Sequence, residues 1–104
     1  MRKKLLVVED SKVVQQVLRH LSAHYLDVDV DFAWSLQEGI DLIAEHDYTL
    51  ALVDLTLPDA MNGEVAKYTL SKNIPTVVLT SKIDEYIRQQ MLELGVVDYV
   101  VKDN

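Results

Sequence analysis

The residues able to accept or hold a phosphoryl group fall at four separated places: Glu9 and Asp10, Asp54, Thr80, and Lys102. Each lies at the end of an apolar run of strand length, in LLVVEDS, ALVDLTLPD, PTVVLTS and DYVVKDN. In open α/β sheets, ligands bind outside the carboxyl ends of the strands, so polar residues recurring there describe one site assembled from distant segments. Three carboxylates brought together repel one another and raise at least one pKa unless a cation joins them. Oxygen donors in a chain with no cysteine suit Mg²⁺ or Mn²⁺, since a hard divalent ion takes one or two carboxylates and leaves room for a phosphate. With that charge neutralised, Asp54 can act as a carboxylate nucleophile toward phosphorus. Lys102 would supply a point positive charge and Thr80 a hydroxyl donor, the positioning and charge stabilisation on which phosphoryl transfer depends.

Taken singly, each residue has a plainer reading. Glu9 and Asp10 could cap a helix, Asp54 could begin a turn, Thr80 suits a strand, and Lys102 could be a surface lysine. Their joint placement at four strand ends is what favours a site.

Such a site needs a scaffold that gathers strand ends. Apolar runs alternate with segments of helical periodicity, the pattern of βα units on a parallel sheet, and five strands and four helices can be counted. Residues 5–8 and 50–53 are apolar throughout and 76–79 is so after Thr76, as strands buried on both faces should be. Val28, Val30 and Phe32 alternate with Asp27, Asp29 and Asp31, which predicts an edge strand with a solvated acidic side. Val13, Val14, Val17, Leu18 and Leu21 form a helical stripe opposite Gln15, Gln16 and Arg19, with Asp10 or Ser11 as its cap. Ser35-Leu36-Gln37-Glu38 reads as a capping box with Trp34 as a staple before it, and Ile40, Ile43 and Ala44 as the inward face. A third helix is expected over 64–72. Ile83, Ile87, Met91 and Leu94 line a core face of the fourth, which Gly95 ends. Loops are expected at 57–63 and 73–75. Right-handed crossovers then favour a doubly wound α/β sheet of flavodoxin-like order 2-1-3-4-5 with helices on both faces. Strands one and three become neighbours, and Glu9, Asp10 and Asp54 converge where the strand order reverses.

Composition narrows the function. The 104 residues make one domain, 1–104, and no apolar run approaches the roughly 20 residues of a membrane span. Met1-Arg2-Lys3-Lys4 leads straight into a strand instead of a signal peptide, and the absence of cysteine fits the cytoplasm, the expected location. Seventeen acidic residues against ten basic give a net charge of −7, which argues against direct nucleic-acid binding. His20 and His24 have the spacing of a helical metal pair but no third ligand in sequence, so a solvated face is expected.

The acidic pair after the first strand, Asp54 in DLTLPD, Thr80-Ser81 and Lys102 together resemble the receiver domain of two-component response regulators, over nearly the whole chain. The resemblance implies a signalling switch that assists its own phosphorylation and dephosphorylation but is not a turnover enzyme. Asp54 would accept a phosphoryl group from a phosphohistidine on a sensor histidine kinase or phosphotransfer protein. Asp10, Asp54 and the backbone carbonyl of Thr56 would ligate Mg²⁺, with Glu9 contributing through water. Thr80 and Lys102 would bind phosphoryl oxygens, and Tyr99 would change rotamer with phosphorylation. Ser81 matches the small residue after the switch threonine, and Thr56 and Lys82 match places that tune phosphoryl lifetime. The loop Pro58-Asp59-Ala60-Met61-Asn62-Gly63-Glu64 is similar to that of receivers joined to cyclic diguanylate enzymes, so a linked output domain of that kind is expected.

Three departures stand out. The segment 59–62 before Gly63 is one residue longer than the commonest family spacing. Asp103 stands where the family usually has proline, which removes the basis for a cis peptide there. The chain stops at Asn104, where the family continues into a fifth helix, so the domain is expected to be a fragment, or completed by a partner, with an exposed apolar face that favours self-association. Two other functions compete. A phosphatase with an aspartate nucleophile needs a second aspartate two residues on, and that position is Thr56. An interaction module without chemistry would have lost an acid, the threonine or the lysine, and none is lost.

Overall fold

A computed structural model of the chain describes residues 3–25, 27–81 and 84–102. Its elements alternate as β1 (Lys3–Val8), α1 (Lys12–Tyr25), β2 (Val28–Ala33), α2 (Leu36–Glu45), β3 (Leu50–Val53), α3 (Glu64–Ser71), β4 (Thr76–Thr80), α4 (Glu85–Leu94) and β5 (Asp98–Val101). The strands form one parallel sheet in the order β2-β1-β3-β4-β5, as the crossover argument expects. In register, Val8 stands opposite both Ala33 and Val53, so β1, β2 and β3 end level.

Alternate strand residues Leu6, Val8, Ala51, Val53 and Val78 join Val65, Ala66 and Met91 of α3 and α4 in the core, with Leu36, Leu42 and Ile43 of α2 packed against them. Burying one Val or Leu side chain contributes about 1.5–3 kcal/mol. A one-residue slip would turn this whole set to the opposite face, so the register that levels the strand ends is strongly held. Gly39 of α2 lies so close to the sheet that an added Cβ would stand 3.3 Å from a Val8 methyl.

The helices depart from their patterns in instructive ways. On α1, Val13, Val17 and Leu21 are 69%, 53% and 42% exposed, whereas Gln15, read as outward, is 3% exposed. Val13, Val17 and Leu21 mark an exposed side of the stripe while Val14 and Leu18 are half-buried, and a polar side chain has turned inward to meet backbone carbonyls. Ser35 caps α2 as expected, its Oγ accepting from Glu38 N at 3.2 Å, but Glu38 Oε1 reaches back to Trp34 N at 3.1 Å, one residue earlier than a capping box requires. Trp34 is not a staple: the position it would pack against is Gly39, which offers no side chain, and the indole is 40% exposed. Ala44 points outward and Leu42 packs in its place.

Gly95, at φ 105°, ends α4, and Met91 is buried. Leu94 is 46% exposed and Leu92 packs instead, while Ile83 lies outside the described residues. Asp31 is more than a solvated edge residue. It pairs with Lys4 Nζ at 2.9 Å and accepts from Tyr48 Oη at 2.6 Å. Partial burial pushes its carboxyl up, but those donors outweigh it and leave the carboxyl below its usual range.

Candidate functional site

Glu9 and Asp10 occupy the turn between β1 and α1. Glu9 N donates to Ala33 O at 2.9 Å, and Asp54 N, just past β3, donates to Val8 O at 2.9 Å. The parallel ladders therefore run one residue beyond the strands and fix both acids at the same height. Glu9, Asp10 and Asp54 each offer a carboxylate oxygen within 4.8 Å of the others. Glu9 and Asp54 are 1% and 5% exposed, whereas Asp10 is exposed and forms the open side of the cluster.

Lys102 follows β5, two strands away from β3, where its N–H bonds Thr80 O at 2.6 Å. Its Nζ reaches back over the strand ends to Glu9 Oε1 at 2.9 Å and Asp54 Oδ2 at 3.1 Å. Burial alone would lower the Lys102 pKa, but the bonds to both carboxylates leave it raised. Asp54 Oδ1 accepts from Thr56 N at 3.0 Å, so both oxygens of this carboxylate are oriented by donors.

One ammonium does not balance three carboxylates. Burial first, then the proximity of Asp54, pushes the Glu9 carboxyl up to about 7 from an ordinary 4.5, against the opposing pull of Lys102. Glu9 Oε2 is buried without a hydrogen-bond partner. An orphaned carboxylate oxygen beside two further carboxylates is the donor set a hard divalent cation takes, so these residues fit Mg²⁺ or Mn²⁺.

The remaining expected residues lie on β4 and β5 and in the segments that follow β3 and β4. Thr80 ends β4, fully buried, and stands opposite Val101 in register. Thr56 is half-buried and Ser81 exposed. Tyr99 lies apart, 8% exposed within the core, with its phenol raised by burial and by the acidic Asp84 and Glu85 of the α4 start. Lys82, Asp103 and Asn104 lie outside the described residues. His20 and His24 stack with ring centroids 4.1 Å apart on α1, and the metal-competent group found among the described residues is the acidic cluster.

The longer loop after Asp54 has a definite shape. Leu57 and Ala60 exchange backbone hydrogen bonds of 3.1 and 3.2 Å around Pro58-Asp59, and Gly63 N returns to Leu55 O at 3.1 Å. The Asp59 carboxylate accepts from Leu36 N at 2.8 Å and Gln37 N at 3.0 Å, tying the loop to the start of α2. Those two bonds hold the Asp59 carboxyl below its ordinary value.

Sequence reasoning missed Asp59, Gln15 and Asp84, whose Oδ1 caps α4 by accepting from Tyr86 N at 3.0 Å and Ile87 N at 3.2 Å. Asp84 was recoverable as an N-cap residue before Glu85. Asp59 and Gln15 act across the fold and leave no local signal. No helix among the described residues is long and apolar enough to cross a membrane.

Comparison with known proteins gives a consistent result. A family model described as the response regulator receiver domain matches residues 5–104. Response regulator ArlR of Staphylococcus aureus (strain Mu50) is 31% identical over 99 residues, which are 94% of this chain and 45% of that protein. The chain thus spans about half the length of the curated relatives it matches. A solved structure described as a two-component system response regulator/GGDEF domain protein is 41% identical with a TM-score of 0.88, covering 99% of this chain and 42% of that one. The Mn²⁺-bound form of response regulator Rcp1 is 25% identical with a TM-score of 0.88, covering 98% of this chain and 82% of its own.

Proposed function

Since the chain belongs to the response regulator receiver domain family of two-component signalling, we propose that Asp54 is its phosphoacceptor, charged from a phosphohistidine on a sensor histidine kinase or phosphotransfer protein. The observation that carries this reading is the Lys102 ammonium bonded to both Glu9 and Asp54 at the mouth of the acidic cluster. In the transfer, an Asp54 carboxylate oxygen forms a bond to phosphorus as the bond from phosphorus to the donor imidazole nitrogen breaks, and that nitrogen keeps the electron pair. The Thr56 N–H and Lys102 Nζ hold the carboxylate ready. Lys102 and Thr80 then bind the incoming phosphoryl oxygens.

Glu9, Asp10, Asp54 and the carbonyl of Thr56 would hold Mg²⁺ or Mn²⁺. When bound, such an ion neutralises the carboxylates and the phosphoryl group. The orphaned Glu9 Oε2 supports this assignment, as does the Mn²⁺-bound form of a relative. Thr56 in place of a second aspartate supports a lasting phosphoryl group over rapid hydrolysis, with Thr56 and Lys82 setting its lifetime.

Output follows from Tyr99, buried beside the start of α4. Displacement of Thr80 toward a phosphoryl group would bias the ring and change the α4 and β5 surface. The relative described as a response regulator/GGDEF protein is longer than this chain. It supports the reading that residues 1–104 are a receiver domain within a longer protein, joined to an output such as a cyclic diguanylate enzyme.

The test is intact mass after incubation with Mg²⁺ and acetyl phosphate. A hydroxylamine-labile phosphoryl adduct is expected, lost in Asp54→Asn and under chelation. An adduct that persists in Asp54→Asn would move the acceptor elsewhere.

A further inference from the structure

The buried amide of Gln15 touches neither substrate nor acids, yet it sits where the acidic turn could shift. Its Nε2 donates to Glu9 O at 2.6 Å and lies 3.5 Å from Ala33 O. Ala33 O also accepts from Glu9 N. One side chain on α1 thus spans the end of β1 and the end of β2, at the residue that carries the orphaned carboxylate oxygen. The helix is anchored to the same turn: Gln15 N donates to Ser11 O at 3.0 Å, and Val14 N to Ser11 Oγ at 3.3 Å. Only Asp10 lies between Glu9, whose carbonyl Gln15 holds, and Ser11, so the direction in which the Glu9 and Asp10 carboxylates project depends on a short turn held at both ends.

We propose that Gln15 is a positioning residue for the cation site: by bonding the Glu9 carbonyl it fixes the β1–α1 turn so that Glu9 and Asp10 meet Asp54. This inference rests on the cation-assisted acceptor reading above. A residue that orients a metal ligand typically alters metal affinity by about 10–100-fold when its hydrogen bond is removed.

Gln15→Met is the suitable probe, because it keeps length, neutrality and burial while removing the donor. Trp34, the single tryptophan, directly follows Ala33 and lines a cleft with Lys12, Gln15, Gln16 and Arg19. Its emission therefore gives a Mg²⁺ titration independent of phosphorylation, with calorimetry as a second readout. The expected result is Mg²⁺ affinity weakened by about tenfold or more. The rate of reaction with acetyl phosphate should recover at saturating Mg²⁺, which a general loss of structure would not allow.

Affinity within about twofold of the unaltered protein would overturn the proposal. If Gln15→Met does not fold, the unaltered protein decides by NMR. The Gln15 side-chain amide should be protected from solvent exchange and should shift on adding Mg²⁺, and an unprotected or unmoved signal overturns the proposal. Failure of the unaltered protein to bind Mg²⁺ would remove the cation-site reading and this inference together. Normal binding with an unaffected Gln15→Met would remove this inference alone.

Discussion

Lys102 bears the positive charge in a group of three carboxylates, and Glu9 keeps its proton up to about 7. In the unfolded chain that carboxyl ionises near 4.5, so across the window from about 4.5 to about 7 the folded protein binds more protons than the unfolded one. Stability without divalent cation must therefore fall as pH rises through that window. Urea midpoints at about pH 5, 6 and 7 should decline in sequence, Glu9→Gln should flatten the trend, and a flat profile in the unaltered protein would contradict it. Mg²⁺ requires the ionised acid, so its binding should strengthen over the same rise in pH. Lys102→Met should cost about 1–3 kcal/mol in chemical denaturation by leaving buried acceptors unpaired. It should also slow acetyl phosphate labelling by about a hundredfold. At this scale the acids and the lysine were legible because each ends an apolar run. Gln15 was not, because a polar residue on an amphipathic helix looks solvated until the carbonyls it meets are known.

Elements matter here chiefly for what their ends are tied to. The Asp59 carboxylate fastens the loop after Asp54 to the first turn of α2. Asp59→Ala should lower the melting temperature and speed amide exchange at Leu36 and Gln37, while exchange at Tyr86 and Ile87, capped by Asp84, stays unchanged. Gly63 closes the same loop at φ 77°, where an added Cβ would stand 3.1 Å from Met91 Cε. Gly63→Ala should therefore destabilise by about 1–2 kcal/mol, from the left-handed backbone and the contact combined, measured by urea unfolding. The element types and most boundaries were readable from periodicity and capping residues. Trp34 and Leu94 were misplaced for a shared reason. A local pattern identifies apolar residues but not the neighbours that cover them: the staple position for Trp34 is a glycine with no side chain to offer, and Leu94 is largely left to solvent.

For the whole molecule, sheet order was legible because alternating elements and right-handed crossovers leave few alternatives. Coverage was not, since it depends on every helix at once. Val13, Val17 and Leu21 remain exposed along α1, and Val100 is 41% exposed on β5. Val17→Lys should leave stability within about 0.5 kcal/mol and reduce concentration-dependent sedimentation; unchanged sedimentation would show that this face does not drive association. The contact between Lys102 and Glu9 joins residues 93 apart in sequence. A nascent chain can pair β1 with β2 and β3 long before its ammonium has been synthesised. During translation the carboxylates of Glu9 and Asp54 are therefore made before the ammonium that pairs with both, which arrives only once the fifth strand is completed.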